Sequence, residues 1–385
     1  MNFRFSPLVL ILLLLSGSTL PNLDYIEPQD RKRSIIYHTT YGYNDGENWV
    51  IPSRVWVHKE RRWMRGFVTW LMNITSDYSS DQIDIFRKRL RDITANSRSR
   101  RTVTIQFEND PEERAFRIVN REGEQPRTDR NGLITGNLKI PVEYANELLH
   151  HQNSKNGWLT AKVSSNRYSG NGRIRLMQPE GLSVISDIDD TIKISEIPAG
   201  AKVVVRNTFF KEYAGAPLMK EMYDEWEDAT FHYVSGSPWQ LYRSLSNFLV
   251  GDAGFPEGTF HMKNARKNPL TISTWSDLTA FVTNEMLTYE QKVSQISQLF
   301  DHFPDRKFIL VGDSGELDPE VYRNIEENYP DQVKEIYIRD VVNARDKNPD
   351  RLSGMTVIPA PTIYRLNERI EEIEDLIEAG EDVYE

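Results

Sequence analysis

Residues 182–195, Leu-Ser-Val-Ile-Ser-Asp-Ile-Asp-Asp-Thr-Ile-Lys-Ile-Ser, constrain this chain more than any other stretch. Val184 and Ile185 centre a short β-branched run that reads as a buried strand. The run stops on Asp187, Asp189 and Asp190, with Thr191 next. In an open α/β sheet, ligands sit beyond the carboxyl ends of the strands, so such a strand delivers its acids to the ligand edge. Carboxylates crowded together repel one another, which calls for a cation among them. Ligands that are all oxygen favour a hard ion such as Mg²⁺. Taken alone, the pattern reads equally well as an acidic turn after a strand.

From Gly181 onward, apolar runs alternate with helical patterns. Strands are expected at Val184–Ser186, Thr230–Ser235, Lys307–Val311 and Glu335–Arg339. Helices are expected at Pro217–Glu227, Pro238–Leu249, Tyr289–His302 and Pro319–Tyr329. Residues up to Phe210, and Gly251 to Leu287, read as irregular. This alternation specifies an α/β fold, a Rossmann-like, mainly parallel sheet with right-handed crossovers over residues 181–350.

Residues 35–178 have a different texture. Short β-branched and aromatic segments (Ser53–His58, Trp63–Met72, Thr102–Phe107, Phe116–Val119, Trp158–Ser164, Gly172–Met177) are separated by turns such as Asp129-Arg130-Asn131-Gly132. They predict a smaller β-sandwich-like domain, interrupted by a helix at Asp81–Thr94 with Ile83, Phe86, Leu90 and Ile93 on one face, and a second helix near Glu143–His150. Between Arg54 and Arg101 twelve Lys/Arg face five Asp/Glu, which suits either a solvated surface or an anionic membrane. The whole chain of 385 residues carries a net charge of −10, which argues against nucleic-acid binding. It has no cysteine, so thiol chemistry and zinc–thiolate sites are excluded.

The N-terminus reads as a signal peptide over residues 1–18: Arg4, an apolar run from Leu8 to Leu15, then small residues. It implies a secreted protein or one in the secretory pathway, with a signal-anchored protein as the lesser alternative. Asn73-Ile74-Thr75 is the one glycosylation sequon. Residues 360–385 read as a terminal acidic helix, in which Ile370, Ile373, Leu376 and Ile377 form the apolar stripe.

Three positions fall in register with the opening strand. Ser235 ends the second predicted strand, where its hydroxyl and the amides of a following helix N-terminus can hold an anion. Lys292 precedes the third strand and Asp313 follows it, with Asp318 five residues on. Singly these are an N-cap, a surface lysine and a turn aspartate.

In this order they resemble the haloacid dehalogenase-like phosphatase superfamily. Ser183-Val184-Ile185-Ser186-Asp187-Ile188-Asp189-Asp190-Thr191, Tyr233-Val234-Ser235-Gly236-Ser237-Pro238-Trp239 and Val311-Gly312-Asp313-Ser314-Gly315-Glu316-Leu317-Asp318 are more closely similar to the actin-patch-associated phosphatidate phosphatase family, over about residues 181–345. The resemblance implies a Mg²⁺-dependent phosphatidate phosphatase. Asp187 would be the nucleophile and Asp189 the acid–base; Ser235 and Lys292 would bind the phosphoryl oxygens. Asp187, the Asp189 carbonyl and Asp313 would hold the metal, with Thr191 and Asp318 in support. The implied partner is phosphatidate, or a similar anionic lipid at a membrane surface. Trp239, Tyr242, Trp275 and Phe281 are candidates for dipping into that interface, and Lys263, Arg266 and Lys267 for attracting a headgroup. Two alternatives remain: a non-catalytic phosphatidate-binding module, against which Asp189 counts, and an exported phosphatase acting on a soluble or protein monoester.

Overall fold

The computed structural model describes residues 33–60, 78–263 and 285–360. The signal-peptide segment, the strand expected at 63–72, Asn73, Arg266, Lys267, Trp275, Phe281 and residues 361–385 lie outside the described residues.

The N-terminal part contains β1 (Arg33–Tyr37), β2 (Thr40–Asn44), β3 (Asn48–Lys59), α1 (Ser80–Ile93), β4 (Asn96–Ser97), β5 (Thr104–Phe107), β6 (Leu133–Pro141), α2 (Val142–His151), β7 (Trp158–Ser165) and β8 (Tyr168–Leu176). The strands join one mixed, eight-stranded sheet in the order β1-β3-β2-β8-β7-β5, with β4 and β6 also paired to β3. Two expectations are corrected here. Phe116 and Val119 make only isolated bridges, to Ile105 and Asn137, rather than a strand. β6 was missed in the sequence, because Gly136 and Asn137 break its apolar alternation.

Helix α1 starts where Ser79 and Gln82 cap each other, a reciprocal box that satisfies two end amides. Its expected stripe is buried at Phe86, Leu90 and Ile93, and Phe86 stacks on Phe210 at 4.3 Å. Through this face the N-terminal part shares a core with the C-terminal part: Ile36, Trp56 and Phe86 lie in one cluster with Val184, Phe209 and Trp239.

The C-terminal part contains β9 (Gly181–Ser186), α3 (Ala201–Phe209), α4 (Met219–Asp224), β10 (Thr230–Pro238), α5 (Tyr242–Ser246), β11 (Gly258–Lys263), α6 (Glu285–His302), β12 (Arg306–Asp313), α7 (Asp318–Asn328), β13 (Val333–Asp340), α8 (Ala344–Lys347) and β14 (Thr356–Pro359). Its six strands run in the order β11-β10-β9-β12-β13-β14, and every pairing is parallel. Val184 faces one cluster with Tyr233, Ile309 and Val311, while Ile185 faces the other with Val234, Leu310 and Ile338. Burial on both faces is why the central strands read as unbroken apolar runs.

The segment between the two parts is clamped by one buried guanidinium. Arg306 donates to the carbonyls of Gln178 (2.7 Å), Glu180 (2.5 Å) and Leu182 (2.8 Å), and to Ser183 Oγ (3.1 Å). Arg306→Ala leaves these buried acceptors unmet, at about 3 kcal/mol. The expected result is a thermal midpoint lowered by roughly 4–5 °C, read by calorimetry. A midpoint unchanged within a degree would show that the clamp does not hold the two parts together.

Candidate active site

Strand register brings the chemistry to one edge. Ser186 of β9 lies opposite Tyr233 of β10 and Val311 of β12, so Asp187, Ser235 and Asp313 leave three adjacent parallel strands at the same end. The Asp187 amide donates to the Val311 carbonyl at 2.9 Å, carrying the pairing one residue further. Lys292 reaches in from α6, well inside the helix rather than at its start. Its Nζ lies 2.8 Å from Asp187 Oδ1, 2.5 Å from Asp318 Oδ1 and 3.5 Å from Glu316 Oε2.

Asp187, Asp313 and Glu316 offer ligand atoms that all lie within 4.8 Å of one another. Asp313 Oδ1 accepts the amides of Gly315 (2.6 Å) and Glu316 (3.1 Å), which turns the loop so that both carboxylates face inward. Its other oxygen, Oδ2, is buried with no hydrogen-bond partner. Burial pushes Asp187 well above the usual carboxylate range, against the pull of Lys292. Burial, with Asp318, Glu316 and Asp187 nearby, does the same to Asp313, and Glu316 is pushed up to about 7. Burial alone would lower Lys292, but its three acidic neighbours hold it well above the ordinary lysine value. One ammonium among four carboxylates leaves negative charge unmet, and an all-oxygen donor set with an unpartnered buried oxygen fits a hard divalent cation.

Asp189 faces elsewhere. Lys193 Nζ lies 2.7 Å from its Oδ1, Ser195 Oγ donates to the same oxygen at 2.6 Å, and Ser237 Oγ donates to Oδ2 at 2.8 Å. Burial would raise this carboxyl, yet Lys193 and the two hydroxyls outweigh it and bring it down to about 2. Ser235 is fully buried and 3.4 Å from Asp189 Oδ2, and its Oγ accepts the Ser237 amide at 2.9 Å. Thr191 donates to Asp187 Oδ2 at 3.2 Å. Asp190 sits at φ 57° and accepts the amides of Ser195, Glu196 and Ile197, so this third acid shapes the turn. Asp318 is an orienting group, bonded to Lys292 and accepting the Asp313 amide at 3.2 Å.

Several expectations are corrected. β10 runs on through Ser235 to Pro238, so no helix begins immediately after Ser235. The chain then passes through a 3₁₀ turn at Trp239–Leu241, the short α5, and a π-helical turn at Asn247–Asp252. Trp239 is buried edge-on to Trp56, and Tyr242 bonds Thr39, so both serve packing rather than an interface. Lys263 is buried and bonded to Thr288 Oγ1 at 2.9 Å. Sequence reasoning missed Glu316, Lys193 and Ser237. All three lie inside the strand-end segments it singled out, where only the fold tells which side chain turns inward.

The family model "Phosphatidate phosphatase APP1, catalytic domain" matches residues 182–340. Phosphatidate phosphatase APP1 of Saccharomyces cerevisiae is 33% identical over 178 residues, covering 45% of this chain and 28% of that protein. An uncharacterised protein of Schizosaccharomyces pombe is 28% identical over 179 residues, covering 44% of this chain and 27% of its own length. The chain thus spans little more than a quarter of the length of these curated relatives. A solved carbohydrate esterase aligns with 80% of this chain and 89% of its own at 10% identity and a TM-score of 0.18, which carries no argument.

Proposed function

We propose that the chain, whose residues 182–340 match the model of the phosphatidate phosphatase APP1 catalytic domain, hydrolyses the phosphomonoester of phosphatidate to diacylglycerol and phosphate, with Mg²⁺ bound. The observation that carries this reading is the convergence of Asp187, Asp313 and Glu316 beside Lys292. Within it, residues 181–350 form a haloacid dehalogenase-like catalytic domain and residues 35–178 a β-sandwich-like domain before it. The leader at 1–18 sends the protein into the secretory route.

Mg²⁺ held by Asp187, Asp313 and Glu316 would offset phosphoryl charge as a Lewis acid. The chain's own groups supply the rest. Asp187 attacks phosphorus, forming an aspartyl-phosphate as the bond to the glycerol oxygen breaks. Lys292 pulls Asp187 towards its ionised form, against burial, and faces the developing charge. Ser235 and the amides after it donate to phosphoryl oxygens. Asp189 gives a proton to the leaving alkoxide, then as a carboxylate takes one from the water that cleaves the aspartyl-phosphate. In the resting site Asp189 is the carboxylate. A phosphomonoester has a second pKa of about 6 and arrives partly protonated, so it can bring the first proton with it.

Phosphate release from phosphatidate vesicles is compared with release from soluble monoesters, with Mg²⁺ and with a chelator. The expected result is Mg²⁺-dependent release that favours phosphatidate. Preference for a soluble or protein monoester would move the substrate, and metal-independent turnover would remove the metal.

A further inference from the structure

Between α1 and the α5–π turn lies a cavity of about 290 Å³, on the same seam that joins the two parts of the chain. Lys88, Arg89, Arg91 and Arg243 line it, against Asp92, Glu212 and Asp252. Two of these cations are already matched. Arg89 lies 3.8 Å from Glu212 and Arg243 3.5 Å from Asp92. Lys88 and Arg91 are exposed, three residues apart on one face of α1, and only Asp252 remains opposite them. In a chain of net charge −10, this cavity wall carries four cations against three acids.

The chain segments that line the cavity also lead to exposed apolar groups: Leu218 lies five residues beyond Tyr213, and Val250 lies between Phe248 and Asp252. Leu218 and Val250 are the exposed large hydrophobic residues among those described, at 69% and 39%. Leu218 holds φ at 68°, a left-handed conformation that costs a leucine free energy, and Val250 sits on the π-helical turn that closes the cavity. Strain kept at an exposed apolar residue points to a surface that meets something apolar. Phe248, from the same turn, packs against Tyr213 at the cavity wall.

Tyr213 ties this face to the catalytic turn. Arg89 stacks on its ring at 3.6 Å, and Lys193, the partner of Asp189, lies 4.9 Å from the ring centre. The strand-like stretch around it pairs with the turn itself: Ile194 donates to Ala214, and Ala216 to Ile192. A surface engaged here sits one ring away from the acid–base group.

We propose that the cavity rimmed by Lys88 and Arg91, with Leu218 and Val250 on the segments that continue from its lining, docks the chain on an anionic phospholipid surface, seating a headgroup phosphate in the cavity and the two apolar side chains among acyl chains. This rests on the phosphatidate reading for its purpose, not for its test. Among the described residues no helix is long and apolar enough to cross a membrane.

The test is flotation of the full chain with phosphatidylcholine vesicles, with and without phosphatidylglycerol, which carries no phosphomonoester. Wild type is expected to float only with the anionic vesicles, and less as salt rises. Each basic residue near such a surface is worth about fivefold in affinity, so neutralising both in K88Q/R91Q should weaken binding roughly 25-fold. Its thermal midpoint should match wild type, since both side chains are exposed. L218D provides an independent arm and should weaken binding at any salt. Wild type that fails to float, or a double variant that floats as well as wild type, overturns the proposal. So does binding of inorganic phosphate at Lys88 and Arg91 without vesicle binding. Docking that persists in a protein inert towards phosphatidate would sink the proposed activity and leave this surface standing.

Discussion

Asp187→Asn is expected to reduce phosphate release from phosphatidate by at least ~10⁴-fold while leaving the fold intact. Asparagine keeps the shape and the bond from Thr191 but cannot attack phosphorus. The variant should also be at least as stable as wild type. Asp187, Glu316 and Asp318 share one ammonium, with Asp313 close beside Asp187, so neutralising Asp187 relieves repulsion among buried charges. Gained stability with lost activity is what a site strained for function gives up when disarmed. Steady-state kinetics and calorimetry on the same preparation check both halves. A variant retaining a tenth of wild-type turnover would remove Asp187 from the nucleophile's role.

Lys292→Met should have the opposite effect on stability. The side chain is buried, and its Nζ touches Asp187, Asp318 and Glu316. Methionine keeps the unbranched apolar stem without the charge, leaving those buried carboxylates with no ammonium beside them. Breaking a buried pair in this way costs about 3–5 kcal/mol. Turnover should fall by roughly 10²–10³-fold, the scale for losing one preorganised charge at a reacting oxyanion. Unfolding curves and kcat together decide it. A variant as stable as wild type, or active within threefold, would show that the carboxylates are not balanced by Lys292.

Much of this site was legible because its parts sit at strand ends. Val184 and Ile185 read as a buried strand since both faces of β9 are covered, and the acids after them could only fall at the ligand edge. Asp313 followed for the same reason from Phe308 to Val311. Where local signals conflicted with tertiary structure, the sequence misled. Ser237-Pro238 looks like the start of a helix, yet β10 continues through it because Lys263 of β11 pairs alongside Pro238. Val203, Val204 and Val205 argue against a helix by propensity, yet α3 forms there because Val204, Val205 and Phe209 find a core to bury in. Glu316 was one acid in an acidic turn. Its role depends on two amides bonding Asp313 Oδ1, a geometry no spacing encodes. Lys193 reads as one more charge in the turn; only its approach to Asp189 sets it apart.

The most direct test of the account is to mix the protein with phosphatidate labelled at phosphorus, quench in acid, and map any labelled peptide. The account predicts an acid-stable label on the peptide carrying Asp187, removed by hydroxylamine and absent from Asp187→Asn. Phosphate released throughout turnover with no protein ever labelled would mean that water attacks phosphorus directly, and would contradict it.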